Sequence, residues 1–175
     1  MKKIVRSLRI MPLACVLVSC AHMAVPAIHE VRFETVDLVQ YSGVETSRRQ
    51  VVRSMEEWNA LWHEHKKQDS RMPAAPVVDF SNQAVVAVFL GARPNGYYSV
   101  KIERADFIEG EIVVQYRETV PFGNAICTYA VTTPAHIITI PKMAGSLNFK
   151  TIGFGEQIST PLGTPPSTAS EAASE

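Results

Sequence analysis

His63-Glu64-His65 is the densest cluster of chemistry-bearing side chains in this 175-residue chain. On a helix, two residues two apart point about 200° away from each other, so these imidazoles cannot share a metal. Zinc sites of the His-Glu-x-x-His kind need i,i+4 spacing. His65 and Asp69 have that spacing but supply only two ligands. Asp79 and His136 are the pair that could work as acid and base, if the fold brings them within hydrogen-bond reach. Each also has a plain structural role: a turn or cap before Phe80-Ser81-Asn82 for Asp79, and an ordinary strand position after Pro134 for His136. No nucleophile elbow or phosphate-cradling loop is present. Cys127 lies in the apolar run Ile126 to Val131, where a small buried filler fits better than a nucleophile. The expectation is a chain that is not an enzyme and holds no metal or cofactor.

The elements that would position these residues are mostly strands. Val31 to Gln40 and Arg49 to Arg53 read as two, broken by Tyr41-Ser42-Gly43. Ser54 with Glu57 three residues on forms a capping box, and predicts a helix to about Lys67. Met55, Trp58, Leu61, Trp62 and His65 share one stripe of that helix, which must bury against a sheet. Residues 71–76 hold two prolines and read as a linker. Ala84 to Leu90 is continuously apolar, as a strand buried on both faces should be. Residues 97–102 alternate, with Tyr98, Val100 and Ile102 on one side. Glu109-Gly110 is a hairpin turn between 107–108 and 111–116. Residues 126–133, 136–140 and 147–152 are further strands. The predicted fold class is mainly β (α+β): an antiparallel β-sandwich or barrel-like sheet with one amphipathic helix packed on it.

The chain start carries an address. Lys2, Lys3, Arg6 and Arg9 precede the uncharged run Ile10 to Val18, too short to cross a bilayer as a helix. That is the pattern of an export signal. It ends in Leu17-Val18-Ser19-Cys20, which resembles the lipobox of bacterial lipoproteins. The resemblance implies cleavage before Cys20 and lipid on that cysteine. Ala21, rather than an aspartate, resembles the signal for passage to the outer membrane of a two-membrane bacterium. The expected division is 1–19 signal peptide, 20–30 lipidated tether, 31–155 a single β-rich domain, and 156–175 a disordered tail of Ser, Thr, Pro, Ala and Glu. The signal takes four of the 17 basic residues and none of the 17 acidic ones, which leaves 13 against 17, a net of −4. No basic run remains to bind nucleic acid. With Cys15 removed and Cys20 lipidated, Cys127 has no partner for an intramolecular disulfide.

The most informative stretch runs from Gly91 through Arg93, Pro94, Asn95, Gly96, Tyr97 and Tyr98 to Ile102. Pro94 suits the first inner corner of a turn, and Gly96 can take a positive φ. A hairpin built this way would present Arg93 and Asn95 at its tip. Val85 to Gly91, then Arg93-Pro94, Gly96, Tyr98-Ser99-Val100 and Ile102, resembles the C-terminal domain of the protease complex subunit PrcB family. Glu118 to Pro121, Thr133 to Lys142, Trp58-x-x-Leu61-Trp62 and Val78-Asp79-Phe80 extend the likeness to roughly residues 50–150. Asn95 stands where the family has threonine, and Tyr97 where it has a second glycine. A Tyr97 forced to positive φ would be strained by roughly 1–2 kcal/mol.

The resemblance implies a non-enzymatic accessory domain. The leading expectation is a membrane-anchored binding lipoprotein of the cell envelope, whose partner is another extracytoplasmic protein such as a protease. Its partner-binding residues would be Arg93, Pro94, Asn95, Gly96, Tyr97 and Tyr98. One alternative is a protease inhibitor that uses the Arg93–Tyr98 hairpin as a wedge. That tip is distantly similar to the loop of chagasin-type cysteine-protease inhibitors, matching at Pro94 and a nearby Gly-Tyr. A second alternative is an enzyme of unknown class, for which Asp79 and His136 would have to converge.

Overall fold

A computed structural model of the chain describes residues 27–121 and 130–157. The expected signal peptide, Cys20, Cys127 and residues 158–175 lie outside them. Among the described residues eight strands and one helix follow in order: β1 (Ile28–Glu30), β2 (Glu34–Val39), β3 (Arg48–Val52), α1 (Met55–His65), β4 (Gln83–Phe89), β5 (Ser99–Ile108), β6 (Glu111–Pro121), β7 (Ala135–Pro141) and β8 (Ser146–Gln157). They form two four-stranded sheets, β1-β5-β6-β8 and β2-β7-β4-β3. The pairings are antiparallel except β6 with β8, which run parallel. The result is an open sandwich rather than a closed barrel.

Alternation along β4 and β7 explains the layers. Val86 and Val88, with Ile138 and Ile140, face the other sheet and pack with Val100, Ile102, Ile112, Val114 and Tyr116. Val85, Ala87 and Phe89, with Ile137, face the opposite way and pack under Trp58, Leu61 and Trp62 of α1. Successive side chains of a strand point to opposite faces, so a strand between two apolar layers must be apolar throughout. That is why Ala84 to Leu90 is an unbroken apolar run.

Helix α1 starts where the capping box places it. The Ser54 hydroxyl accepts from Glu57 N–H at 3.2 Å, and the Glu57 carboxylate accepts from Arg53 N–H at 3.0 Å. The proline-rich linker is strapped to the helix. Trp58 Nε1–H donates to Pro76 O and Trp62 Nε1–H to Pro73 O, each at 2.9 Å. The Glu109-Gly110 hairpin is also present, with φ of 50° and 87° at its two corners.

Some boundaries differ from expectation. The tether expected over residues 20–30 ends in the sheet, because Ile28–Glu30 pair with Asp106–Ile108 as β1. At the other end β8 runs to Gln157, past the expected start of the tail at 156. Thr132 and Thr133 make only single bridges rather than the strand expected there. Among the described residues no helix is long and apolar enough to cross a membrane.

Candidate functional site

The Gly91–Tyr98 segment joins the two sheets. β4 lies in one sheet and β5 in the other, so the expected hairpin is instead an inter-sheet connection. It starts at Gly91, whose φ of 74° suits a residue without a Cβ. A Cβ there would sit 2.6 Å from Ser47 N and 2.7 Å from Glu45 O. The chain is then pinned to Thr132. Arg93 N–H donates to Thr132 O at 2.7 Å, and Thr132 N–H returns to Arg93 O at 2.9 Å. The Thr132 hydroxyl donates to Asn95 O at 2.8 Å.

Asn95 closes the turn, in place of the expected glycine. Its Oδ1 accepts Tyr97 N–H at 3.1 Å, two residues on, which is an Asx turn. Gly96 and Tyr97 are absent from the positive-φ residues, which are Gly91, Glu109, Gly110, Gly145 and Gly153. Gly96 does not use the positive φ open to it, and the condition under which Tyr97 would be strained is not met. A side-chain acceptor makes the turn, so no positive φ is needed and a tyrosine is accommodated at position 97.

The connection offers a mixed surface. Pro94 and Gly96 are exposed, while Arg93, Asn95, Tyr97 and Tyr98 are half-buried. The Arg93 guanidinium lies 5.8 Å from the centre of the Tyr98 ring, and Tyr98 packs on the sandwich core. Two neighbours escaped the sequence reading. Tyr41, bridged to Thr133, is 59% exposed, and Val131, next to Thr132, is 65% exposed. Tyr41 looked like a strand break. The bridge to Thr133, 92 positions along the chain, sets it on the other side of the Thr132–Thr133 segment that pins Arg93.

His65 belongs to a buried Ser-His-Asp array. Its Nδ1 lies 2.8 Å from Ser42 Oγ, and its Nε2 lies 2.8 Å from Asp37 Oδ2. The ionised Asp37 carboxylate can only accept, so His65 gives it the Nε2 proton; on the neutral ring Nδ1 then accepts from Ser42 Oγ, which itself accepts Val44 N–H at 3.1 Å. Lys66 Nζ adds an ion pair to the same carboxylate at 2.6 Å. Burial alone would raise the Asp37 pKa, but hydrogen bonds from His65 and Lys66 outweigh it and hold the carboxyl at about 2. Ser42 and His65 are fully buried, so the hydroxyl has no access to a substrate. The array ties α1 to β2 and the following loop. His65 is therefore buried with Trp58, Leu61 and Trp62 of its stripe, and its ion pair is with Asp37, whereas Asp69 pairs with Lys66 at 3.9 Å. Among the described residues no group of three His, Cys, Asp or Glu side chains is placed to hold a metal. His63 is exposed.

Asp79 and His136 do not meet. Asp79 accepts from Ser81 N–H at 3.0 Å and from the Asn82 amide at 2.7 Å, the turn role open to it in the sequence. His136 is buried in β7, between the sheets. Its Nδ1 accepts Ile102 N–H at 2.7 Å, so Nε2 carries the ring proton and donates to Thr35 Oγ1 at 3.0 Å. Burial, with a smaller push from the Lys101 charge, lowers its pKa to about 4.

Residues 84–141, the stretch from β4 to β7, match the family described as PrcB C-terminal. The blocks at Trp58 to Trp62 and at Val78 to Phe80 fall outside the matched residues. No curated protein and no solved structure matches the chain.

Proposed function

We propose, from the premise that residues 84–141 belong to the PrcB C-terminal family, that the chain is a non-enzymatic accessory lipoprotein. In this reading it binds another protein of the cell envelope, and a protease complex is the partner class the family name suggests. Cys20 carries the lipid, and Ala21 directs the chain to the outer membrane if the cell has two membranes. The binding surface is the Arg93–Tyr98 connection, widened by Tyr41 and Val131.

The observation that carries the reading is the way this surface is built. Backbone bridges and an Asx turn hold the connection, so the Arg93 side chain is not needed to shape it. Among the described residues its hydrogen bond is a 3.3 Å contact to its neighbour Ala92 O. Tyrosine and arginine on a rigid frame are the residue types that most often dominate binding energy. The buried Ser42-His65-Asp37 array and the separation of Asp79 from His136 support a non-enzymatic role. The inhibitor alternative loses its projecting wedge, because the segment crosses between sheets and half-buries Arg93 and Asn95.

The experiment is mild crosslinking on intact cells, followed by purification of the chain from membranes. Wild type should carry a discrete crosslinked partner, and an Arg93→Glu, Tyr41→Ala variant should lose it.

A further inference from the structure

The sandwich is open on one side, and the opening lies between two strand edges. β2 is outermost in its sheet, so its edge away from β7 has no strand partner among the described residues. In the other sheet, β1 covers only the Asp106–Ile108 end of β5. That cover stops where Val31 N–H donates to Ala105 O at 2.8 Å, and the chain then crosses over to become β2. From there back to Ser99, β6 is the only strand paired with β5 among the described residues.

The polar groups of this edge have a known direction. Ile102 N–H reaches His136 Nδ1, so it points away from β6. In an antiparallel pair, residues two apart point their N–H and C=O to the same side. Val100, two residues back in the regular part of the ladder, therefore also turns its N–H and C=O away from β6, and outside the ladders no bond to them is found among the described residues. They open onto a groove in two continuous sections. One of about 460 Å³ is lined by Phe33, Thr35, Leu38, Lys101, Ile102 and His136, among others. The next, about 210 Å³, includes Val39, Gln40, Ser99 and Val100. Leu38, on the β2 wall, is 50% exposed.

Two features choose an occupant. Lys101 is exposed and makes no ion pair among the described residues. The other charged residue of the groove, Glu103, is held by Arg117 at 2.9 and 3.1 Å, so the open charge is positive. Thr35 Oγ1 already accepts the His136 Nε2 proton, which leaves its own proton for an acceptor in the groove. We propose that this groove receives an extended acidic segment of another protein, which adds as a strand between β5 and β2 and sets an Asp or Glu side chain against Lys101 and Thr35. An open edge is a template for strand addition, in which main-chain bonds give affinity and alternate side chains give specificity. The inference does not depend on the Arg93–Tyr98 surface.

The test uses the full-length chain in detergent and acetylated, amidated heptapeptides. Valine and threonine alternate in them, and the central residue is Glu, Thr or Lys. Binding is read by fluorescence anisotropy, and exchange of the Val100 amide by NMR. The Glu peptide should bind best and slow Val100 exchange. Lys101→Glu should weaken it by about tenfold, roughly the loss of one charge contact, and shift preference to the Lys peptide. An inserted strand uses both its edges, so N-methylation of either alternate set of peptide nitrogens should also weaken binding. Arg93→Glu should leave all this unchanged. Failure of all three peptides to slow Val100 exchange at millimolar concentration would overturn the proposal, as would undiminished binding by either N-methylated peptide.

Discussion

His136 Nδ1 accepts the main-chain N–H of Ile102 at 2.7 Å, which makes a buried imidazole the bridge between the two sheets of the sandwich. β7 supplies the ring and β5 the N–H, and the bond exists only while the ring is neutral. A second proton on the ring would remove the acceptor and place a charge between apolar layers.

Stability should therefore fall on mild acidification. The unfolded histidine takes up a proton near 6.5, and the folded one only near 4. Below pH 6.5 the unfolded state binds a proton that the folded state refuses, so the stability present above 6.5 is lost progressively as pH falls toward 4. Asp37 adds a second loss lower down. Its folded carboxyl titrates at about 2 against an ordinary 3.8, so its contribution fades as pH falls from 3.8 to 2. Urea denaturation at a series of pH values checks this. His136→Asn should start less stable yet lose the dependence between pH 6.5 and 4.

The helix stripe is core. Trp58 is fully buried and Trp62 nearly so. Truncating either to Ala should cost roughly 3–5 kcal/mol, through lost burial and a cavity. Each change also frees a proline carbonyl of the linker. Urea or thermal denaturation of Trp58→Ala and Trp62→Ala reads the effect.

Gly91→Ala tests the start of the inter-sheet connection. Alanine at a φ of 74° costs about 1–2 kcal/mol from backbone strain alone. The new Cβ would also press on backbone atoms of residues 45–47, which cannot rotate away. The variant should be destabilised by more than the strain term, whereas Gly96→Ala, with no positive φ to lose, should be close to neutral in the same melt.

Cys20→Ser should abolish lipid attachment and release the chain from membranes. Metabolic labelling with a fatty acid reads this, with label on wild type and none on the variant. Stable anchoring needs more than one acyl chain, so loss of the single attachment residue should be complete rather than partial.

What could be read in advance was local or periodic. The Ser54–Glu57 cap, the unbroken apolar run of β4 and the Glu109-Gly110 turn each depend on neighbours within a few residues. What escaped depends on residues far apart in the chain. Asp37 and Ser42 reach His65 across 28 and 23 positions, and Thr35 reaches His136 across 101. No periodicity marks such pairs. The Gly91–Tyr98 segment looked like a hairpin because its turn chemistry is local, whereas the sheet each flanking strand joins is decided by distant partners. Lys101 and Leu38 gave no signal, since each is an ordinary strand residue until the two edges face each other.

The central claim is that the connection from Arg93 to Tyr98, with Tyr41 beside it, binds a partner and is not merely architecture. The direct measurement pairs the melt of an Arg93→Glu, Tyr41→Ala variant with crosslinked co-purification from membranes. Surface changes of this kind typically alter stability by within about 0.5 kcal/mol each. The account predicts a nearly unchanged melt and loss of the crosslinked partner seen with wild type. A variant that melts like wild type and keeps the same crosslinked partner would contradict it.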